Sequence, residues 1–252
     1  MKRVGIVGGT GLAAIGGVET GAAPAPRPET PYGAPSAVPE RGSRGGVEVV
    51  FLQRHGRPRS ILPHRVNYRA NLWLLHSLGV DAVIAAFTVG GLAREYRDAD
   101  LVVPHQLIDY THGRADTFAA VDEIRHVDFT EPFDATLRSG LVAAGERCAL
   151  RGRLHAGGVY GCTQGPRLET AAEVDRLERD GCTVVGMTAM PEAVLARELG
   201  LPYAGVCLVV NPAAGRGDGP ITAAGIQAAV DRGAADLALL LETFLDGFDE
   251  GG

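Results

Sequence analysis

Cysteine is scarce: the 252 residues hold four, Cys148, Cys162, Cys182 and Cys207. They are widely spaced, with no CxxC pair and no histidine at zinc-finger spacing. That excludes a disulfide framework and a structural zinc site, and leaves buried thiols in a reducing cytoplasm as the expectation. Positive charge is also short, because 24 Lys and Arg stand against 30 Asp and Glu for a formal net charge of −6. With no Lys/Arg-rich run, the chain has no general attraction for phosphate polymers, and polymeric nucleic acid drops out as a partner. No apolar run approaches a membrane-spanning length, so no membrane partner is expected. There is no internal repeat and no low-complexity tail beyond Asp249 to Gly252. Lys2-Arg3 followed by an apolar stretch imitates a secretory leader, but Gly5, Gly8, Gly9 and Gly11 interrupt it. Val4 to Val7 then read as a buried strand that ends in a tight turn, and a cytoplasmic location is expected.

What is present is an ordinary globular composition. Hydrophobic residues make up 46% of the chain, enough for a full core, and no linker divides 1–252 into two self-contained cores. One α/β domain is expected. Short apolar runs mark strands at 3–8, 47–53, 82–87, 100–104, 154–160, 183–187 and 203–210. Helical patterns occupy 65–78, 134–149, 169–180, 190–199 and 222–246. Ile226, Val230, Leu237, Leu240, Leu241 and Phe244 recur on one face of the last helix. Pro191 suits a first helical turn and Thr222 an N-cap. Two stretches, 21–46 and 111–133, read as long irregular segments.

The polar residues that break this pattern cluster at strand ends. Gly8-Gly9-Thr10-Gly11 follows the first strand, where backbone N–H groups and a hydroxyl can face an anion. The turn lacks the G-x-G-x-x-G spacing and an acidic partner downstream, which ranks a dinucleotide-binding oxidoreductase below phosphate binding. Arg54-His55-Gly56 ends the run from Val49 to Leu52, placing a cation and a hydrogen-bonding imidazole together. Thr88-Val89-Gly90-Gly91 reads as another glycine turn after a strand. Gly161 to Glu169 and Gly186 to Glu192 each join strand to helix. Glu169 serves either a helix dipole or the N1–H of a 6-oxopurine, and Met187 is either core filler or a soft contact for a sugar or base. Asn211, before Pro212, either shapes a turn or aims an amide into a crevice. That amide has both a donor and an acceptor and can bind N7 and O6 of a 6-oxopurine together.

Taken in order, these segments resemble the purine nucleoside phosphorylase superfamily, especially its branch of methylthioadenosine and methylthioinosine phosphorylases. The resemblance covers almost the whole chain. It is carried by Ile6 to Leu12, Thr30-Pro31-Tyr32-Gly33, Arg54-His55-Gly56, Pro63 with Val66 to Asn71, Gly165 to Thr170, Gly186-Met187-Thr188 and Met190-Pro191-Glu192. It implies a mixed, partly closed β-sheet flanked by helices, in a homotrimer or dimer of trimers with active sites near subunit interfaces. It implies that Thr10, Arg54, His55, Thr88 and Thr188 hold phosphate. Met187 would lie against ribose and base, Leu168 beside the base, and Asn211 and Glu169 would read the purine, with Asn211 and His55 catalytic. Two residues depart from the family pattern: Phe87 stands where relatives have Asn or Thr, and Arg59 where they have His.

The same resemblance divides the substrates. Adenine-specific members carry Asp at the position of Asn211 and a small hydroxyl residue at that of Glu169, whereas Asn and Glu suit O6 and N1–H of hypoxanthine. A wrong choice leaves buried polar groups unpaired, at about 1–3 kcal/mol each. The segment Ile221 to Ala223 has no His for a 5′-hydroxyl, which suits a methylthio group. The expected reaction is phosphorolysis of S-methyl-5′-thioinosine to hypoxanthine and 5-methylthioribose 1-phosphate, with inversion at the anomeric carbon. Inorganic phosphate is the co-substrate and no cofactor or metal is called for. The alternatives are a methylthioadenosine phosphorylase, a general 6-oxopurine nucleoside phosphorylase, and a purine-nucleoside binding protein without turnover.

Overall fold

The computed structural model describes residues 2–9, 28–56, 60–120 and 122–248. Thr10, Gly11, Leu12 and Arg59 therefore lie outside the described residues, as does the tail from Asp249 to Gly252. Four buried parallel strands form the centre. β1 (Arg3–Gly8) lies between β3 (Val47–Gln53) and β4 (Ala82–Gly91), and β10 (Tyr203–Pro212) runs parallel on the far side of β4. These strands are apolar almost throughout because helices cover both faces, as a mostly parallel sheet requires. On one face, α2 (Ala135–Arg147) and α5 (Ala223–Asp246) pack with Leu137, Leu141, Leu237, Leu240 and Phe244 against Ile6, Ile84 and Val206. On the other, α1 (Tyr68–Ser77) and α4 (Ala189–Glu198) set Leu72, Leu75 and Leu195 against Val7, Val83 and Cys207. Thr222 caps α5 through its side chain, which accepts from Gly225 N, as its position predicts.

Two elements were not legible. β2 (Glu40–Arg44) lies within the stretch read as irregular and pairs antiparallel with the edge of β3. Its sequence ERGSR has no apolar residue, so only the partner's edge makes it a strand. β6 (Gln106–Asp109) has only the two apolar residues Leu107 and Ile108, too short a run to mark a strand, and pairs with β8 (Val159–Cys162). The expected strand 154–160 is in fact two: β7 (Leu154–Ala156) pairs with β5 (Leu101–Val103), and β8 begins after a break at Gly157 and Gly158. Their φ values of 119° and 138° belong to a region open mainly to glycine. The neighbouring strand breaks at the same level, at Pro104 and His105, where His105 N donates to Gly158 O at 3.0 Å. Both strands thus turn one corner together. Beyond it, β8 pairs with β9 (Val184–Gly186), which returns antiparallel to the end of β4, so the mixed ten-stranded sheet forks at β4 and partly closes on itself.

α3 (Ala171–Arg179) packs Val174 and Leu177 outside this fork, against Val185 and Ala213. Its N-cap is Thr170, and Thr170 and Glu173 form a reciprocal capping box. Glu169 therefore precedes the helix, and the dipole role weighed for it passes to Glu173. Among the described residues no helix is long and apolar enough to cross a membrane.

Candidate active site

The carboxyl ends of β1, β3, β4 and β10, with the segments that follow β8 and β9, open into one cavity of about 460 Å³. Gly9, Arg54, His55, Thr88, Leu168, Glu169, Met187, Thr188 and Asn211 all line it. The structure thus gathers every described residue named from the sequence as a ligand contact.

The floor is Arg54, only 1% exposed. Its backbone N donates to Gly8 O at 2.8 Å, which ties the end of β3 to the end of β1. Its side chain forks onto Glu192, with Nε and Nη2 donating at 2.7 and 2.9 Å. Nη2 also donates to Val7 O and Nη1 to Ala86 O. Burial alone would lower the Arg54 pKa, but the charge and hydrogen bonds of Glu192 outweigh it and raise it, so the guanidinium stays charged. Of its five N–H groups one on Nη1 is left, next to Gly9, where a Cβ would lie 3.6 Å from Nη1 and 3.3 Å from the His55 ring. A side chain at position 9 would occupy that niche.

His55 Nδ1 lies 2.9 Å from Ile61 O, and since a carbonyl only accepts, this nitrogen carries the hydrogen. Nε2 faces the Gly9 niche. Thr88 proves to lie within β4, which runs on through Gly91, and not in a turn. Thr188 is the N-cap of α4 yet makes no side-chain cap bond. Its hydroxyl is left for the cavity.

Asn211 owes its direction to a β-bulge. Val209 pairs with Val89 and Asn211 with Gly90, which leaves Val210 as the extra residue. Bulges re-aim side chains, and a Cβ on Gly90 would sit 3.4 Å from Asn211 Nδ2. One Nδ2 hydrogen goes to Pro212 O at 2.6 Å, which holds the amide plane. Across the cavity, Thr163 Oγ1 donates to Glu169 Oε1 at 2.6 Å, orienting that carboxylate. Met187 packs against Gly165, whose φ is 62° and where a Cβ would lie 2.5 Å from the Met187 sulfur.

Sequence reasoning missed several supports. Glu192 was visible only as part of the Met190-Pro191-Glu192 stretch, and an acidic residue in a first helical turn ordinarily answers the dipole. Here it is fully buried and accepts from Arg54 and, at 2.9 Å, from Tyr203 OH. Burial, and then Glu192, push the Tyr203 pKa far up, so this hydroxyl remains a donor. Phe87, 3% exposed, lays its ring 5.0 Å from the Arg54 guanidinium. Burial pushes the Cys162 thiol up to about 12, consistent with an inert core thiol.

The fold is shared by known proteins. The model of the phosphorylase superfamily matches residues 3–246. The chain belongs to the phosphorylase superfamily. As a member of it, the chain is an enzyme of the nucleoside phosphorylase type, a pentosyltransferase. It is 52% identical over 232 residues to a probable S-methyl-5′-thioinosine phosphorylase of Pseudomonas syringae pv. tomato, covering 90% of this chain and 92% of that one. It is 41% identical over 251 residues to a 6-oxopurine nucleoside phosphorylase of Pyrococcus furiosus, covering 96% and 91%. Among solved structures, the methylthioadenosine phosphorylase of Schistosoma mansoni in complex with adenine superposes with a TM-score of 0.92 at 28% identity, covering 100% of this chain and 93% of that one. In this phosphorylase the site cavity adjoins a smaller one of about 210 Å³, which shares Val210, Asn211, Ala213, Ile221 and Ile226 with it.

Proposed function

We propose that the protein cleaves S-methyl-5′-thioinosine with inorganic phosphate, giving hypoxanthine and 5-methylthioribose 1-phosphate. The observation that carries this reading is the pairing of Asn211 and Glu169 in one cavity, each already oriented by a second hydrogen bond. Glu169 Oε1 is taken by Thr163, so Oε2 is the acceptor for N1–H of a 6-oxopurine. Asn211 keeps one Nδ2 hydrogen for O6, and as the base departs and N7 takes a proton from solvent, Oδ1 accepts the hydrogen bond from the new N7–H. An adenine ring would present an acceptor at N1 to the Glu169 carboxylate and a donor at the 6-position to the Asn211 N–H. Both contacts are repulsive.

Phosphate is proposed to sit in the niche between Gly9, the remaining Arg54 Nη1 hydrogen, His55 Nε2 and the Thr88 and Thr188 hydroxyls, with Thr10 completing it. From there an oxygen lies below the anomeric carbon, on the face opposite the base, and displacement inverts that carbon. The Arg54 to Glu192 fork fixes the guanidinium through protein groups alone, so that alignment need not be made at the moment of reaction. The apolar side chains of Val210, Ile221 and Ile226 suit a methylthio group better than a hydroxyl. Relatives named for methylthioinosine and for 6-oxopurine nucleosides support the same substrate class. A homotrimer or dimer of trimers is part of the proposal, and the exposed rim residues Leu62 and Leu168 are candidates for cover by a neighbouring copy.

The test is release of free base from methylthioinosine, methylthioadenosine, inosine and guanosine, each with and without phosphate. Phosphate-dependent hypoxanthine release, fastest from methylthioinosine, is the expected result. Preference for methylthioadenosine would overturn the reading of Asn211 and Glu169 while leaving the reaction standing.

A further inference from the structure

The described residues of the long segment between β6 and α2 form no helix or strand, yet Arg114 among them reaches both loops that carry the side chains proposed to face the nucleoside. Arg114 directs its entire guanidinium at them. Nε donates to Gln164 Oε1 at 3.1 Å, and Nη2 to Thr163 O and Gln164 O at 3.3 and 2.9 Å. Nη1 donates to Met187 O at 2.9 Å and Met190 O at 2.5 Å. Five N–H groups meet five acceptors, three on the loop that leads to Leu168 and Glu169 and two on the loop that holds Met187 and Thr188. Gln164 closes the arrangement from the other side, since its amide exchanges hydrogen bonds with the backbone of His112. The guanidinium also lies 5.7 Å from the Tyr68 ring.

We propose that Arg114 is a positioning residue that clamps the base-reading loop to the ribose- and phosphate-facing loop and so sets the spacing between Glu169 and Thr188. The proposal rests on the nucleoside phosphorylase reading of the cavity. The two loops leave different strands, β8 and β9, and their ligand-facing residues lie beyond the strand pairing. Half-buried carbonyls turned toward one another need a donor that answers several at once. Only a planar fork with five donors does so, and lysine has neither the number nor the geometry.

The experiment compares wild type, Arg114→Lys and Arg114→Ala in phosphate-dependent base release, with thermal melting of each. Ethylguanidinium and ethylammonium are added separately to the alanine variant. A displacement of the two loops by about 1 Å predicts a fall in kcat/KM of about a hundredfold in the alanine variant. Lysine should restore little of it, and ethylguanidinium but not ethylammonium should restore activity saturably. Near-wild-type activity in either variant, full repair by lysine, or a folded alanine variant that ethylguanidinium leaves inert would each overturn the clamp. If the wild type released no base from any nucleoside, the reading of the reaction would fail instead. Amide hydrogen exchange at 161–170 and 186–192 then tests the clamp alone: faster exchange in both segments of Arg114→Lys supports it, and unchanged exchange refutes it.

Discussion

Glu192 holds the floor of the cavity together, and its removal has a cost that follows from its burial. It is fully buried and accepts three hydrogen bonds, two from Arg54 and one from Tyr203. In Glu192→Ala the Arg54 guanidinium, itself 1% exposed, would keep only the carbonyls of Ala86 and Val7 and would lose its counter-charge. Breaking one partner out of a buried ion pair costs about 3–5 kcal/mol. For a chain of this size that lowers the melting temperature by about 6–20 °C. Urea unfolding followed through Trp73, the one tryptophan, measures the loss directly. The decisive comparison is the double variant Arg54→Met with Glu192→Leu. Replacing both charges by apolar groups should recover most of the stability and none of the phosphorolysis, because the pair serves the site more than the fold. A single variant that loses less than about 1 kcal/mol, or a double variant no more stable than the single, would refute the account of a buried pair.

Asn211→Asp should shift preference from the 6-oxo toward the 6-amino nucleoside, and an unchanged ratio of kcat/KM for methylthioinosine and methylthioadenosine would remove Asn211 as reader of the base. Glu173 is held at about 2, below its ordinary 4.5, by hydrogen bonds from Arg167 and then from Thr170 N. Since the folded value is the lower one, its contribution to stability is present above the ordinary value and is lost as pH falls toward about 2. Glu173→Gln should therefore flatten the acid limb of the stability curve there, and parallel wild-type and variant limbs would count against it. Because Glu192 already matches the charge of Arg54, phosphate in the proposed niche would be held mainly by hydrogen-bond donors. Its KM should accordingly change little as KCl rises from about 0.05 to about 0.5 M, whereas a steep rise would reveal unmatched cationic charge at the site.

Where residues carried two independent signals, the sequence was readable. β1, β3, β4 and β10 are apolar runs that end in Gly, Arg-His or Asn, and both features survive in the structure because the sheet is buried and its carboxyl ends form the cavity. β2 carried no apolar signal, since edge pairing alone orders it, and in β6 the pair Leu107-Ile108 was too short to stand out. The break inside 154–160 had a signal, Gly157-Gly158, but its meaning depends on the neighbouring strand breaking at Pro104 and His105, a long-range fact. Thr170-x-x-Glu173 was a legible capping box that would have placed Glu169 outside the helix. Glu192 and Arg114 were not legible in that way. One looks like a helix-start carboxylate and the other like a solvated loop arginine until three-dimensional neighbours turn each into a fully bonded group.

Phe87, one of the two departures from the family pattern, packs against Gly205. A Cβ at Gly205 would lie 2.6 Å from Phe87 Cε2, so the glycine on β10 makes the space that the ring on β4 fills. The ring then lies beside the Arg54 guanidinium and 5.1 Å from Tyr160. It offers no hydrogen bond to phosphate, and any oxygen-bearing side chain that the family pattern leads one to expect at this position is lost as a ligand. What it supplies is desolvation: an aromatic wall beside the Arg54 to Glu192 fork keeps water from competing for those hydrogen bonds and strengthens them in proportion. Thr88, the next residue along β4, also lines the cavity, so a hydroxyl is still presented from this strand. Phe87 and Gly205 thus fit one another across two neighbouring strands, and the ring leaves the Arg54 to Glu192 fork intact beside it.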